Sequence, residues 1–119
     1  MNVNTTESEV EVFSHQELLV MSFLKSLDKD ERIKHGILSA LTGIHERTLY
    51  EILESLRSKG EWIISSKKKL DLGHRYTDKL YEWNDYLKGR ESEALTNLRS
   101  INQMRLVAAK RYNHIKINS

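Results

Sequence analysis

At 119 residues, with 39% hydrophobic and 30% charged residues, the chain has the length of one globular domain with room for an appended helix. It has no cysteine, which excludes disulfides and thiolate chemistry, and His15, His35, His45, His74 and His114 lack a metal-site spacing, so neither metal nor cofactor is expected. The formal net charge is +2, but residues 1–31 set Glu7, Glu9, Glu11, Glu17, Asp28, Asp30 and Glu31 against Lys25 and Lys29, a balance of −5 that leaves +7 for the rest and points any phosphate contact there.

No apolar run reaches transmembrane length, and the acidic start is unlike a signal peptide, so a cytoplasmic protein without a membrane partner is expected. The absence of proline fits a helix-dominated chain. Residues 1–13 read as a loose polar tail, with a brief alternation at Val10 and Val12 that could add a short strand. Ser14 followed by Glu17 is a capping-box signature, and Leu18, Met21 or Val20, Leu24 and Leu27 then recur at helical spacing, predicting a helix over 14–27.

Asp28-Lys29-Asp30-Glu31 is a solvated connection, with Asp30 as the expected N-cap of a second helix over about 32–41 that ends at Thr42-Gly43. A third helix, 45–59, turns Leu49, Ile52, Leu53 and Leu56 inward at i, i+3, i+4 and i+7 and stops at Gly60. Ser39 is small where two helix backbones approach, and Gly43 is free to take positive φ at the turn. Leu49 and Ile52 seat the third helix on the second, with Leu38, Leu41 and Ile44 as apolar lining. These are the requirements of a helix-turn-helix unit, and an αα-hairpin of any small helical domain shares them.

After Gly60 the period shifts. Trp62, Ile63 and Ile64 are a strand signal, and Gly73-His74-Arg75-Tyr76-Thr77 can return as its partner around the basic loop Ser65–Leu72. A lysine run alone is an ordinary solvated loop; a lysine-tipped hairpin placed directly after a recognition helix reads as the wing of a winged-helix domain. From Asp78 the pattern is helical through Leu80, Trp83, Leu87, Ala94, Leu98, Ile101, Met104 and Ala108, with Gly89 as a point of interruption or bending. The near-heptad spacing of Leu80, Leu87, Ala94, Ile101 and Ala108 suggests pairing with a second copy, although Arg90 and Asn97 depart from an ideal coiled coil; the alternative is a helix folded onto its own domain. Its end carries Arg99, Arg105, Lys110, Arg111 and Lys116 with no acid after Glu93, which suits phosphate contacts or the negative end of the helix dipole.

The expected architecture is therefore mainly α: a flexible tail over 1–13, a winged helix-turn-helix domain over 14–77 made of three helices and a β-hairpin wing, and a long C-terminal helix over 78–114 that joins two copies. Gly43-Ile44-His45-Glu46-Arg47-Thr48-Leu49, the stop at Lys59-Gly60 and the run Trp62-Ile63-Ile64-Ser65-Ser66 carry a resemblance. With the glycine-aromatic strand and the long Lys/Arg-containing helix, residues 15–112 resemble small winged helix-turn-helix proteins of bacteriophages and prophages. That resemblance implies a DNA-binding head with a helical tail, acting as a regulator or replication-associated factor in a bacterial host cytoplasm. The chain departs from the pattern at His45, where a serine or aspartate cap is usual, at Thr42, where a bulky apolar residue is preferred, and in the longer wing from Lys67 to Leu72.

If the third helix enters the major groove of double-stranded DNA, His45, Glu46, Arg47, Thr48 and Tyr50 face it. Arg47 can bond guanine O6 and N7 together or hold a phosphate, and Thr48 and Tyr50 suit phosphate or thymine-methyl contacts. Glu51 and Glu54 repel phosphates, which confines contact to the first turn and a half. Lys67, Lys68, Lys69 and Arg75 would serve the wing. No cysteine nucleophile, glycine-rich phosphate loop or recognisable histidine-carboxylate motif supports an enzyme. The rival to a DNA-binding homodimer is a winged-helix module that binds and modulates a host protein, favoured by the acidic residues of the third helix and the near-zero net charge.

Overall fold

The computed structural model of the chain describes residues 12–118, so all of the expected polar tail except Val12 and Phe13 lies outside the described residues. Among the described residues the chain is mainly helical, with four helices and one two-stranded antiparallel hairpin. In order these are α1 (His15–Lys25), α2 (His35–Thr42), α3 (Glu46–Ser58), β1 (Ile63–Ser66), a 3-10 turn at Lys69–Asp71, β2 (Gly73–Tyr76) and α4 (Leu80–Asn118). This order is compatible with the expected topology. The chain divides into two units after Trp83, within α4.

The capping box that starts α1 forms as its sequence predicts: the Glu17 N–H donates to Ser14 Oγ at 3.1 Å and the Ser14 N–H donates to Glu17 Oε1 at 2.9 Å. The buried stripe of α1 is Glu17, Val20, Met21 and Leu24, at i, i+3, i+4 and i+7. Leu18, expected inside, lies one position off that stripe and is 51% exposed. A carboxylate can hold the first stripe position because Lys59 Nζ, at 2.8 Å, and the Ser55 hydroxyl, at 2.9 Å, donate to it from α3 and the residue that follows it.

Asp30 caps no helix. It sits in the turn at φ 65°, and α2 begins later, at His35, with Lys34 at the N-cap making no side-chain bond. Residues 32–34 are instead drawn out by a backbone bridge: the Ile33 N–H donates to His74 O at 3.0 Å and the His74 N–H to Ile33 O at 2.8 Å. Gly73 permits this approach, since a Cβ there would stand 2.6 Å from Ile33 O, and its φ of +122° disfavours any other residue.

Gly43 closes α2 at φ 70°, and Leu38 and Ile44 line the corner as expected, whereas Leu41 is 55% exposed because it falls on the outer face. Ser39 Oγ donates to Ile44 O, and Thr42 Oγ1 donates to Leu38 O at 2.7 Å, so both polar residues satisfy carbonyls of the turn. In α3 all four residues predicted to face inward, Leu49, Ile52, Leu53 and Leu56, are buried. Gly60, at φ 95°, ends the run in a Schellman motif, with the Glu61 N–H donating to Leu56 O and the Gly60 N–H to Arg57 O. These side chains form one core with Val20, Met21, Leu24, Ile33, Leu38, Ile44 and Ile63, and full burial of each aliphatic side chain is worth about 1.5–3 kcal/mol.

The hairpin pairs Ile63 with Tyr76, Ile64 with Arg75, Ser65 with His74 and Ser66 with Gly73, extending the expected first strand through Ser66. Trp83, in the first turn of α4, stacks on Trp62 with ring centroids 6.2 Å apart and planes 8° from parallel. Helix α4 runs through Gly89 without interruption. Every residue from Leu87 to Lys116 is exposed. No helix among the described residues is long and apolar enough to cross a membrane.

Candidate nucleic-acid interface

The first turn of α3 is built around its cap. His45 accepts the Arg47 N–H on Nδ1 at 3.2 Å, so the residue that stands in place of the usual serine or aspartate cap supplies a capping bond. With its backbone held, Arg47 is exposed, and its guanidinium has no hydrogen-bond or ionic partner among the described residues. Glu46 is exposed, Thr48 is half-buried, and Tyr50 is 51% exposed. Tyr50 stacks on His35, with ring centroids 3.7 Å apart and planes 15° from parallel.

That stacked histidine begins a chain of side chains that the sequence does not reveal. His35 Nε2 lies 2.8 Å from the Glu46 carbonyl oxygen, which can only accept, so the ring carries its proton there. In a neutral His35 the other nitrogen, Nδ1, then accepts from His74 Nε2–H at 2.9 Å. His74 Nδ1 in turn accepts the Ser65 hydroxyl, and Ser65 Oγ accepts from Arg57 Nη2 at 2.7 Å. Arg57 Nε also donates to Ile63 O at 2.7 Å. The start of α3, α2 and both strands of the hairpin are thereby joined by one run of oriented bonds.

Electrostatics keep this run neutral at its centre. Burial pushes His74 down to about 4, and the neighbouring His35, Arg57 and Arg32 side chains push in the same direction. Arg32 is lowered by burial and by the nearby Arg75, and its Nη1 donates to Gly73 O at 3.2 Å. Protonating His74 would place a second N–H at Nδ1, so that Ser65 Oγ would have to accept there instead of donating.

Lys67, Lys68 and Lys69 are exposed on the turn that joins β1 and β2, and their ammonium groups have no partner among the described residues. The turn is internally fixed, with Ser66 Oγ donating to Asp71 Oδ1 at 3.0 Å and accepting the Lys68 N–H at 3.1 Å. Arg75 differs from these lysines. It is half-buried, ion-paired with Glu82 at 2.5 Å and bonded to Tyr76 O, so it ties β2 to the start of α4. Glu82 is held below the usual carboxylate range by its bonds from Thr77 and Arg75.

The outer face of α3 changes character along its length. Arg47 and Tyr50 give way to exposed Glu51 and Glu54, the latter ion-paired with Arg57 at 2.8 Å. Of the residues expected to join two copies, Trp83 is taken up by the stack on Trp62, and Leu80, though exposed, falls in the first unit. Leu87, Ala94, Leu98, Ile101, Met104 and Ala108 all lie exposed on α4. Among the described residues no three His, Asp or Glu side chains converge as a metal site. Comparison of the chain with protein-family models, with curated proteins and with solved structures finds no match.

Proposed function

We propose that the chain is a winged helix-turn-helix protein that binds double-stranded DNA, as a transcriptional regulator or replication-associated factor of phage type, and that α4 joins two copies. The observation that supports this best is the bonded run from the Glu46 carbonyl through His35 and His74 to Ser65. It ties the hairpin, one pair from its turn, to the first turn of α3, so the uncommitted cations Arg47 and Lys67–Lys69 sit on two elements linked by one run of bonds. In this reading Arg47 enters the major groove, Thr48 and Tyr50 contact phosphate or a thymine methyl, and the three lysines lie along the backbone as the wing. Arg75, engaged by Glu82, holds the hairpin instead of touching DNA.

Changing Lys67, Lys68 and Lys69 together to glutamine tests the wing. Fluorescence anisotropy over a salt series is expected to show weaker binding on every duplex and a salt slope reduced by about 2–3, near one unit per lost phosphate contact. An unchanged slope removes the hairpin from the interface. Arg47→Ala is expected to cost about 1–3 kcal/mol at a single base position. An equal loss on random duplex assigns Arg47 to phosphate.

One observation favours a second reading, a protein-binding module. Ile37 and Leu41, one turn apart on α2, are 51% and 55% exposed, and Glu51 is exposed on α3. Apolar side chains in that arrangement suit a protein surface better than a phosphate backbone. No binding of random duplex by micromolar protein at low salt would favour that reading.

A further inference from the structure

We propose that α4 pairs with α4 of a second copy in antiparallel orientation, in the register that sets Leu98 of one copy against Ile101 of the other. The inference rests on the reading of α4 as the element that joins two copies, and adds its direction and register. Between Asn84 and Lys116, seam positions spaced alternately three and four apart fall into two sets. One holds Leu87, Ala94, Ile101 and Ala108; the other holds Glu91, Leu98, Arg105 and Tyr112. All eight side chains are exposed.

In a parallel pair each seam residue meets its own copy. Glu91 would face Glu91, Arg105 would face Arg105, and the two alanine layers would be underfilled. In the antiparallel register the large residues meet small ones: Arg105 faces Ala94, Glu91 faces Ala108, Leu87 faces Tyr112, and Leu98 with Ile101 forms the centre. The stems of Arg105 and Glu91 lie over alanine methyls while their charges reach the flank. Sliding the antiparallel pair by one heptad in either direction brings Arg105 or Glu91 onto Ile101.

The charge distribution agrees. Residues 84–98 hold Asp85, Glu91 and Glu93 with Lys88 and Arg90, whereas residues 99–116 hold Arg99, Arg105, Lys110, Arg111 and Lys116 and no carboxylate. Parallel pairing stacks the two cationic ends on each other. Antiparallel pairing sets each against the half that carries every acid. Arg90 and Arg111 share one flank of the antiparallel pair, but at an exposed rim where such repulsion is screened, and Arg90 lies 5.8 Å over the Tyr86 ring.

In this register Asn84 of each copy stands opposite Ile115 of the other, which separates the two Asn84 residues by about 45 Å along the seam. The full-length protein, which has no native cysteine, allows a direct measurement with single nitroxide labels on Lys88→Cys and Ser100→Cys. Pulsed dipolar spectroscopy without DNA is expected to give about 35 Å between copies for the Lys88 label and under about 20 Å for the Ser100 label. Similar short distances at both sites would establish a parallel pair and overturn the proposal. So would a monomer mass by light scattering at tens of micromolar. A monomer that still binds duplex removes the pairing and leaves the DNA reading intact; a dimer with the expected distances and no duplex binding does the reverse.

Discussion

His74 is a histidine that the fold holds neutral. Unfolded, the ring titrates near 6.5; folded, burial and neighbouring cations bring it to about 4. Between those values the unfolded chain binds a proton that the native chain refuses, so this contribution to stability is complete above pH 6.5 and is lost as pH falls towards 4. The difference corresponds to about 3 kcal/mol. Glu17 acts in a lower window: burial favours its neutral form, but the bonds from Lys59, Ser14 and Ser55 outweigh burial and hold it at about 2, so its contribution is lost as pH falls from 4.5 towards 2. Urea unfolding at stepped pH is expected to show stability declining from pH 7 to pH 4, and His74→Gln is expected to flatten that decline above pH 5. A wild-type midpoint that stays level across this interval would show that His74 is protonated as easily in the fold as outside it.

Two glycines separate the geometry of a turn from the closeness of two elements. Gly43 ends α2 at φ 70° with nothing within 4 Å of the place an alanine methyl would take, so Gly43→Ala is expected to cost about 1–2 kcal/mol from backbone strain alone. At Gly73 the same change meets Ile33 O at 2.6 Å as well as a φ of +122°. It should cost more, about 2–4 kcal/mol, and loosen the hairpin from the segment before α2. Equal losses in thermal unfolding would mean that the bridge at Ile33 yields without cost. The elements themselves were legible where one local rule governed them: the apolar period of α3, the capping box at Ser14 and the glycine stops at Gly43 and Gly60. Sequence reasoning failed where a distant partner decided. Glu17 is inside and Leu18 outside because Lys59 and Ser55 supply donors from about 40 residues away. Asp30 loses its expected capping role because Ile33 pairs with His74. Of the candidate site, Arg47 and the lysine turn could be found from charge and position. The His35–His74 contact could not, since two histidines 39 residues apart carry no periodic signal, and nothing in the sequence shows that Arg75 is taken by Glu82.

For the whole molecule, every buried hydrophobic residue among those described lies between Val20 and Ile64, and no residue from Leu87 to Lys116 is buried. A chain ending after Tyr86 is therefore expected to keep its unfolding free energy to within about 0.5 kcal/mol, a surface-level change. In the proposed function it should also become a monomer by light scattering and bind a two-site duplex about 100-fold or more weakly, since tethering two heads raises their effective concentration. A truncated chain that matches the full-length affinity would leave α4 without a part in binding. The stack of Trp62 on Trp83 has its own consequence for such experiments. These are the only two tryptophans in the chain, and both belong to one joint between the hairpin and the beginning of α4. Emission excited selectively from tryptophan is thus a single-site gauge of that joint, and a change in its intensity on adding a ligand reports motion where the last helix leaves the hairpin, while events at Arg47 that leave the stack in place pass unseen.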